Sequence, residues 1–303
     1  MSRRVLLCCT SACLVAFAAS MQAHAAGYAR TYLVNDVILP TTNSQATAFA
    51  IDVDGDNHAD NGLGGSFAAL ASGGMDLTGA TGVAVASGSI VHLVHLQTAD
   101  ASFANDPAAQ ATWCVGKPMP APPSFNGLDN ASCVVTSGIF TAALAGGNFT
   151  SPSPVITPNP VSLEFTMALG TETVTLTVLN ARLRFNADGS GGQINGSIPH
   201  DDITYKFDPA FALMCNDAIQ NAPASDLATS CKSLFDKGCS GSPDFANDGM
   251  IEVCEIIESS LIQSLFAPDV MVDNGGAPIE ANSVGFGFTA VINERVFANG
   301  FEP

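Results

Sequence analysis

The sequence predicts a mainly β protein, an antiparallel β-sandwich or barrel-like domain with a helical, disulfide-tied segment near its C-terminus. Residues 161–185 alternate apolar and polar side chains, which is the period-two pattern of a strand with one buried face. Residues 28–40 and 283–297 are also strand-like. Residues 210–266 differ, because they hold four cysteines and helix-like stretches.

The beginning of the chain has the three parts of a secretory signal peptide. Two early arginines precede an apolar stretch, residues 5–19, and Ala23-His24-Ala25 supplies a small-x-small cleavage site. The apolar stretch is too short for a transmembrane anchor. We therefore expect residues 1–25 to be removed, leaving a secreted or periplasmic chain with no membrane span.

The excess of acidic residues limits the kinds of molecule that we expect the protein to bind. The chain has 10 basic and 28 acidic residues, a net charge of −18, and loss of two arginines with the signal peptide makes this −20. Such acidity argues against nucleic acid and anionic membranes as partners. The partner is unknown, and an extracellular or cell-surface ligand is the kind we expect. The apolar fraction of 47% is that of a globular protein.

Six cysteines remain after the predicted cleavage, which in an exported chain indicates three disulfides with 15 connectivities. They are Cys114, Cys133, Cys215, Cys231, Cys239 and Cys254. Spacing favours a local Cys114–Cys133 bridge, and loop length favours Cys215–Cys231 and Cys239–Cys254. A zinc site is the rival interpretation of the last four, but they contain no Cys-x-x-Cys and no histidine is near.

The order of elements favours one β domain with a helical insertion over two independent domains. The boundaries we predict are 26–209 for the β-rich domain, 210–280 for the helical segment, and 281–303 for a final strand that rejoins the sheet, with a tail. Further predicted elements are a helix at 66–71, one or two strands in 83–96, a proline-rich loop at 118–123, a bulge at Asn180, and helices at 225–235 and 253–266.

Residues 52–60, the aspartate loop, place acids at every second position, which can bring carboxylates onto one hard cation. Calcium prefers six to eight oxygen ligands. The predicted ligands are the side chains of Asp52, Asp54, Asp56 and Asp60 and the backbone carbonyl of His58. The loop is similar to the calcium loops of dockerins and thrombospondin type 3 repeats. It departs from the EF-hand pattern at Asn57, the sixth position, and Leu63, the twelfth; the alternative is a solvated acidic turn.

Residues 244–255, the C-terminal acidic loop, have the 12-residue length of an EF-hand loop. The predicted calcium ligands are Asp244, Asp248, the Met250 carbonyl, Glu252 and Glu255, the last as the twelfth-position bidentate carboxylate. Gly249 stands at the sixth position, where the backbone turns sharply, whereas Ala246 departs from the pattern at the third. The alternative is a capped helix start with incidental acids. A third acidic stretch, 269–280, is not predicted to bind metal.

Several short segments together resemble a set of uncharacterised secreted bacterial proteins with an EF-hand-like segment. They are residues 33–40, the aspartate loop running into Asn61-Gly62-Leu63-Gly64, residues 247–249 with 261–269, and Gly285-Phe286-Gly287-Phe288. The resemblance covers most of the mature chain and implies export and calcium binding, with no known activity.

No catalytic pattern is clear. His92 and His95 are three apart in a strand-like stretch and so face opposite sides. His200 is followed by Asp202 without a nucleophile motif. We therefore predict a secreted calcium-binding structural or binding protein of unknown biological role rather than an enzyme; the alternative is an extracellular hydrolase, which a deep polar pocket around His200 and Asp202 would favour.

Overall fold

The computed structural model of the protein describes residues 27–153, 160–240, 246–273 and 277–294. The predicted signal peptide, the first two residues of the C-terminal acidic loop, and the tail lie outside these ranges. The strands are β1 (Tyr28–Ile38), β2 (His92–Thr98), β3 (Asn105–Gly116), β4 (Cys133–Ala145), β5 (Asn148–Thr150), β6 (Leu163–Leu169), β7 (Glu172–Asn186), β8 (Gly192–Pro199), β9 (Val270–Val272) and β10 (Ile279–Ile292).

The helices lie in two groups, one between β1 and β2 and one between β8 and β9. They are α1 (Asn43–Ala48), α2 (Gly62–Ser72), α3 (Leu77–Ser87), α4 (His200–Asp202), α5 (Asp208–Asn221), α6 (Asp226–Phe235), α7 (Val253–Ile257) and α8 (Ser260–Leu265). A π-helical turn, Ile203–Phe207, joins α4 to α5, so residues 200–221 form one unbroken helical segment. No helix in the described ranges has the length and apolarity needed to cross a membrane.

The strand pairings are antiparallel and form a closed circuit. β1 pairs with β2 along one side and with β10 along the other. The path β1–β2–β3–β4–β5–β7–β8–β10 therefore returns to β1, while β6 pairs with the first half of β7 and β9 with the start of β10. The prediction of a mainly β, antiparallel protein is confirmed. The last strand lies between β1 and β8, inside the sheet.

Aromatic side chains from distant parts of the sequence fill the core. Trp113, Phe165, Phe286 and Phe288 are each at most 2% exposed. The Phe165 and Phe286 ring centroids lie 4.1 Å apart, and those of Trp113 and Phe288 lie 5.5 Å apart. Burial of each such side chain contributes about 1.5–3 kcal/mol to the free energy of folding. This packing links β3, β6 and β10.

The alternation in residues 161–185 corresponds to the meander of β6, β7 and β8. Leu163, Phe165 and Met167 are buried, as their phase predicts. The bulge predicted at Asn180 is also present: its φ is 51°, and the β7–β8 register shifts between Leu179 and Arg182. The extra residue turns the second half of β7 away from β6 and toward β8.

The prediction of strand structure throughout residues 83–96 was wrong in its first half. Those residues belong to α3, and β2 begins only at His92. The Asp76 carboxylate accepts a hydrogen bond of 2.8 Å from the Gly79 N–H and so caps the start of α3. Gly88, with a φ of 78°, ends it in the left-handed conformation. These caps outweigh the strand preference of the β-branched Val83 and Val85.

Three disulfides join the cysteines in the pairs that spacing and loop length favour. Their Cα–Cα distances are 5.8 Å for Cys114–Cys133, 5.6 Å for Cys215–Cys231 and 5.7 Å for Cys239–Cys254. The first closes the proline-rich loop between β3 and β4. The second joins α5 to α6, and the third ties the chain after α6 to α7. The single helix predicted at 253–266 is two helices, α7 and α8.

Candidate metal site

The aspartate loop lies between α1 and α2 and is closed at its base by backbone pairing. Ile51 and Asp60 form an isolated antiparallel bridge, in which the Asp60 N–H donates to the Ile51 carbonyl at 2.8 Å. Val53 points inward and is 2% exposed, whereas Asp54 and Asp56 are exposed. The loop is therefore fixed at its base while its acidic side chains face outward.

The structure brings together the four aspartates that the sequence predicts as ligands. Each of Asp52, Asp54, Asp56 and Asp60 offers one carboxylate oxygen, and these four oxygens lie within 4.8 Å of one another. Four carboxylates at this spacing repel one another unless a cation or a proton lies between them. Hard oxygen donors are the ligand type that calcium and magnesium prefer.

Backbone N–H groups hold these carboxylates in place. Asp52 accepts hydrogen bonds from the N–H of Gly55 at 2.6 Å and of Asn57 at 3.1 Å. Asp54 accepts one from the Asp56 N–H at 3.1 Å. Each carboxylate oxygen has two lone pairs, so an oxygen that accepts one N–H can still bind a cation. These hydrogen bonds therefore orient the carboxylates and leave lone pairs that can bind a cation.

Two residues of the loop adopt left-handed backbone conformations that allow its tight turns. Gly55 has a φ of 92° and Asn57 a φ of 69°. Asparagine enters this region more readily than most residues, so Asn57 is tolerable at the sixth position. Its conformation agrees with that reasoning.

The loop's electrostatics differ between its base and its tip. Burial raises the pKa of Asp60, and the neighbouring Asp54, Asp56 and Asp269 charges raise it further, against the lowering effect of the Val53 N–H. At the tip, the backbone N–H of His58 lowers the pKa of Asp56. Burial thus opposes ionisation of Asp60, and a bound cation would relieve that penalty.

The imidazole ring of His58 lies at the exposed tip of the aspartate loop. Its side chain is 81% exposed, and its ring Nδ1 lies 3.2 Å from Asp56 Oδ2. The sequence predicts its backbone carbonyl, rather than its ring, as the ligand, and that role stays a prediction.

Asn61 ties the loop to the sheet. Its Oδ1 accepts the Gly64 N–H at 3.0 Å, which caps α2, and also the Gly285 N–H of β10 at 2.8 Å. Its Nδ2 donates to the carbonyls of Ala46 and Gly285. One asparagine beside the aspartate loop therefore joins α1, α2 and β10.

Asp269 is a further residue of this region that sequence reasoning missed. Its carboxylate accepts the N–H of Gly62 at 3.2 Å and of Ser283 at 2.7 Å, and it also accepts the Ser283 hydroxyl. It lies 209 positions after Asp60 in the sequence, yet its charge contributes to the raised pKa of Asp60. No local pattern signals this contact, because only the pairing of β9 and β10 brings it about.

The C-terminal acidic loop has a different arrangement. Glu255 is 3% exposed: its Oε1 accepts the N–H of Lys237 and Gly238 at 2.8 and 2.5 Å, and its Oε2 accepts the N–H of Glu252 at 2.9 Å. The last contact is half of a capping box at the start of α7. Both oxygens therefore hold backbone groups, which matches the alternative of a capped helix start.

The other predicted ligands of this loop also make local contacts. Asp248 accepts the Met250 N–H at 2.8 Å, and Glu252 supplies the other half of the capping box. Asn247 and Gly249 have φ values of 58° and 86°, so the loop does turn sharply where the sequence predicts. Asp244 lies outside the described residues. Calcium binding by this loop stays a prediction.

The carboxylate of Asp202 contacts Thr177 and Lys206 and not His200. It accepts the Thr177 N–H at 2.8 Å and forms an ion pair with Lys206 at 2.8 Å. His200 instead contacts Asn282, with 3.4 Å between Nδ1 and Oδ1. The pair weighed from sequence as base and orienting acid makes different contacts.

Comparison of the chain with protein-family models, with curated proteins and with solved structures returns no match. The resemblance to secreted proteins with an EF-hand-like segment stays a prediction.

Proposed function

We propose that the aspartate loop binds one calcium ion and that the protein is a calcium-stabilised structural or binding protein. The observation that carries this proposal is the convergence of four carboxylates within 4.8 Å on a loop closed at its base. With the His58 carbonyl they would supply five oxygens, and water would complete the six to eight that calcium prefers. Magnesium demands stricter octahedral geometry and dehydrates reluctantly, so an exposed loop of carboxylates suits calcium better.

The surroundings of the loop give calcium a route to stabilise the fold. Asp60 is followed directly by Asn61, which hydrogen-bonds β10, and Asp269 bonds both Gly62 and Ser283. An ion that neutralises the loop would hold these elements in the geometry that the contacts require. A cation that binds only the native state raises the free energy of unfolding by about 1.4 kcal/mol at tenfold excess over Kd.

We also propose that the protein acts outside the cytoplasm, in the periplasm or extracellular medium. Three disulfides support this location, because such bonds persist in oxidising compartments. Extracellular calcium-binding modules have dissociation constants of about 10⁻⁴ to 10⁻³ M. We expect an affinity in this range for an exposed loop that supplies five protein oxygens.

The finer architecture enters the proposal in two ways. The closed circuit of pairings supports a barrel-like arrangement over a two-sheet sandwich, because a sandwich leaves edge strands unpaired. The contacts of Glu255 support a structural role for the C-terminal acidic loop, so we assign the calcium ion to the aspartate loop alone.

Calorimetric titration of the mature chain with calcium tests the proposal. We expect one ion per chain and a melting temperature that falls by a few degrees in chelator. Asp54→Asn should abolish calcium uptake and the effect of chelator, because it removes a ligand whose carboxylate makes only one backbone contact. Asp201→Asn, the same charge change at an exposed residue away from the loop, should bind calcium like the wild type.

Two results would overturn the proposal. One is the absence of calcium uptake together with an unchanged melting temperature in chelator, which would make the loop a solvated acidic turn. The other is equal loss of uptake in the Asp54 and Asp201 variants, which would mean non-specific attraction to an acidic surface.

A further inference from the structure

A cavity of about 240 Å³ lies between the helical segment of residues 200–221 and the helices α7 and α8. Most of its wall is apolar, with Ile203, Ile257, Ile262 and Phe266 among the lining residues. At about 30 Å³ per water molecule, the space equals about eight waters. It is large enough for a small organic molecule with an apolar body.

One wall of the cavity carries a buried carboxyl group. Asp208 is 4% exposed, and its Oδ1 has no hydrogen-bond partner among the described residues. Burial raises the pKa of Asp208 to about 7. An unpaired buried carboxylate is costly, so each such group in a native structure calls for an explanation, and a bound ion is one of them.

The backbone at this wall is unusual. The π-helical turn of residues 203–207 lies directly before Asp208, and π turns within α-helices occur frequently at functional sites. His200, Thr204 and Asp208 follow at four-residue spacing and all line the cavity. The polar groups of the helical segment therefore line one side of the cavity together with Ile203, and the opposite side is mainly apolar, with Gln263 as its polar residue.

Charge indicates which kind of molecule would fit. The chain has a net charge of −18, which favours the approach of cations over anions. Lys206, the cation nearest in sequence, is paired with Asp202. The countercharge that Asp208 lacks would therefore come from the bound molecule.

We propose that this cavity binds a small organic ammonium ion with an apolar body, and that Asp208 pairs with its ammonium group. The apolar wall would cover the hydrocarbon portion. The site is separate from the aspartate loop and does not depend on calcium.

Titration of the mature chain with n-hexylammonium, in the presence of chelator, tests this proposal. We expect saturable binding of one molecule per chain and at least tenfold weaker binding of the uncharged 1-hexanol. Asp208→Asn should weaken hexylammonium binding at least tenfold, because it keeps the size of the side chain and removes its charge. Asp201→Asn is the matched control, an exposed carboxyl seven residues away, and should bind like the wild type.

Stability measurements separate this role from a structural one. At pH 8, the Asp208→Asn variant should melt at or above the wild-type temperature, because it removes an unpaired buried charge. If that variant fails to fold, the Asp208 carboxyl carbon signal in NMR spectra of the wild type gives the answer: it should shift on addition of hexylammonium and not on addition of 1-hexanol. Asp54→Asn should leave hexylammonium binding unchanged.

The proposal is overturned if hexylammonium does not bind saturably, if folded Asp208→Asn retains full affinity, or if 1-hexanol binds as tightly as the amine. The last result would indicate an apolar cavity that makes no use of Asp208. An unchanged Asp208 carboxyl signal on addition of hexylammonium would overturn it equally.

Discussion

Glu255 is the acid of the C-terminal loop whose removal is the most informative. Both its oxygens accept backbone N–H groups, and its side chain is buried. Glu255→Gln places an NH₂ donor opposite an N–H donor, so we expect the free energy of unfolding to fall by about 1–3 kcal/mol. Urea unfolding measures this loss. Calorimetry should show calcium uptake equal to that of the wild type.

The exposed Glu280 provides the control, since Glu280→Gln makes the same chemical change without these contacts. It should leave calcium uptake unchanged and should not lower stability. If Glu255→Gln instead loses one bound calcium ion at unchanged stability, Glu255 is a metal ligand, as the EF-hand spacing predicts.

His92 makes a second prediction at the scale of single residues. It is fully buried, stacked on Phe165 with centroids 5.3 Å apart, and in contact with the Thr166 carbonyl at 2.9 Å. Burial lowers its pKa to about 4. The unfolded chain takes up this proton near pH 6.5 and the native chain only near pH 4, so stability falls as pH drops through that window, by about 3 kcal/mol in total.

The comparison must be made between variants, because the raised pKa of Asp208 acts in the opposite direction over the same range. His92→Phe keeps an aromatic ring and removes the titration. The free energy of unfolding of the wild type minus that of this variant should rise with pH between 4 and 7, by about 3 kcal/mol in total. A difference that does not change with pH would show that His92 takes up its proton at the same pH in the native and the unfolded chain.

At the scale of elements, Asn61 joins three of them through four hydrogen bonds. Asn61→Ala removes the cap of α2 and both contacts to Gly285, so we expect a loss of about 2–4 kcal/mol in the free energy of unfolding. Asn61→Asp keeps the accepting oxygen and should lose less. Thermal or urea unfolding measures both, and equal losses would mean that the cap and the Gly285 N–H contact contribute little.

The features that the sequence predicts correctly are formed by residues close to one another in the chain. The alternation of β6 and β7, the bulge at Asn180 and the close cysteine pairs are all properties of neighbouring residues, and all are present. The four acids of the aspartate loop also lie within nine residues, so their convergence could be predicted from spacing. Prediction succeeded where the relevant contacts are short in sequence.

Two features of the structure were not predicted from the sequence, and each has a physical cause outside the pattern of its own segment. Residues 83–87 are helical because Asp76 and Gly88 cap α3, and the apolar, β-branched composition gave the opposite indication. Asp208 is buried in α5, which packs against α6 and α7, and no periodicity in its own segment reveals that burial. Caps can be sought in sequence, but packing between distant elements requires the fold.

At the scale of the whole molecule, closure of the strand circuit connects the two candidate sites to one sheet. Gly285 of β10 contacts Asn61, which follows the aspartate loop, and Asn282 of β10 contacts His200. Because β10 also pairs with β1 and β8, disruption at either site acts on the strand that closes the circuit. The two sites bind different partners in our proposals, yet they depend on the same strand.

The final prediction concerns the net charge of −18. Repulsion among acids destabilises the compact state, whereas the ion pair of Lys206 with Asp202 lies near the surface, where such pairs contribute little to stability. The screening length falls from about 10 Å at 0.1 M salt to about 3 Å at 1 M. Salt should therefore weaken the repulsion among acids more than it weakens the attraction within ion pairs. In chelator, the melting temperature should rise with the concentration of sodium chloride.

A variant with reduced charge distinguishes screening from other effects of salt. Asp201→Asn, Glu172→Gln and Glu280→Gln change three exposed acids to neutral residues of the same shape. At 20 mM salt the triple variant should melt above the wild type, and it should gain less between 20 and 200 mM, because fewer repulsions remain to be screened. A melting temperature that falls with salt, or an equal gain for both proteins, would show that the acidic surface does not limit the stability of this fold.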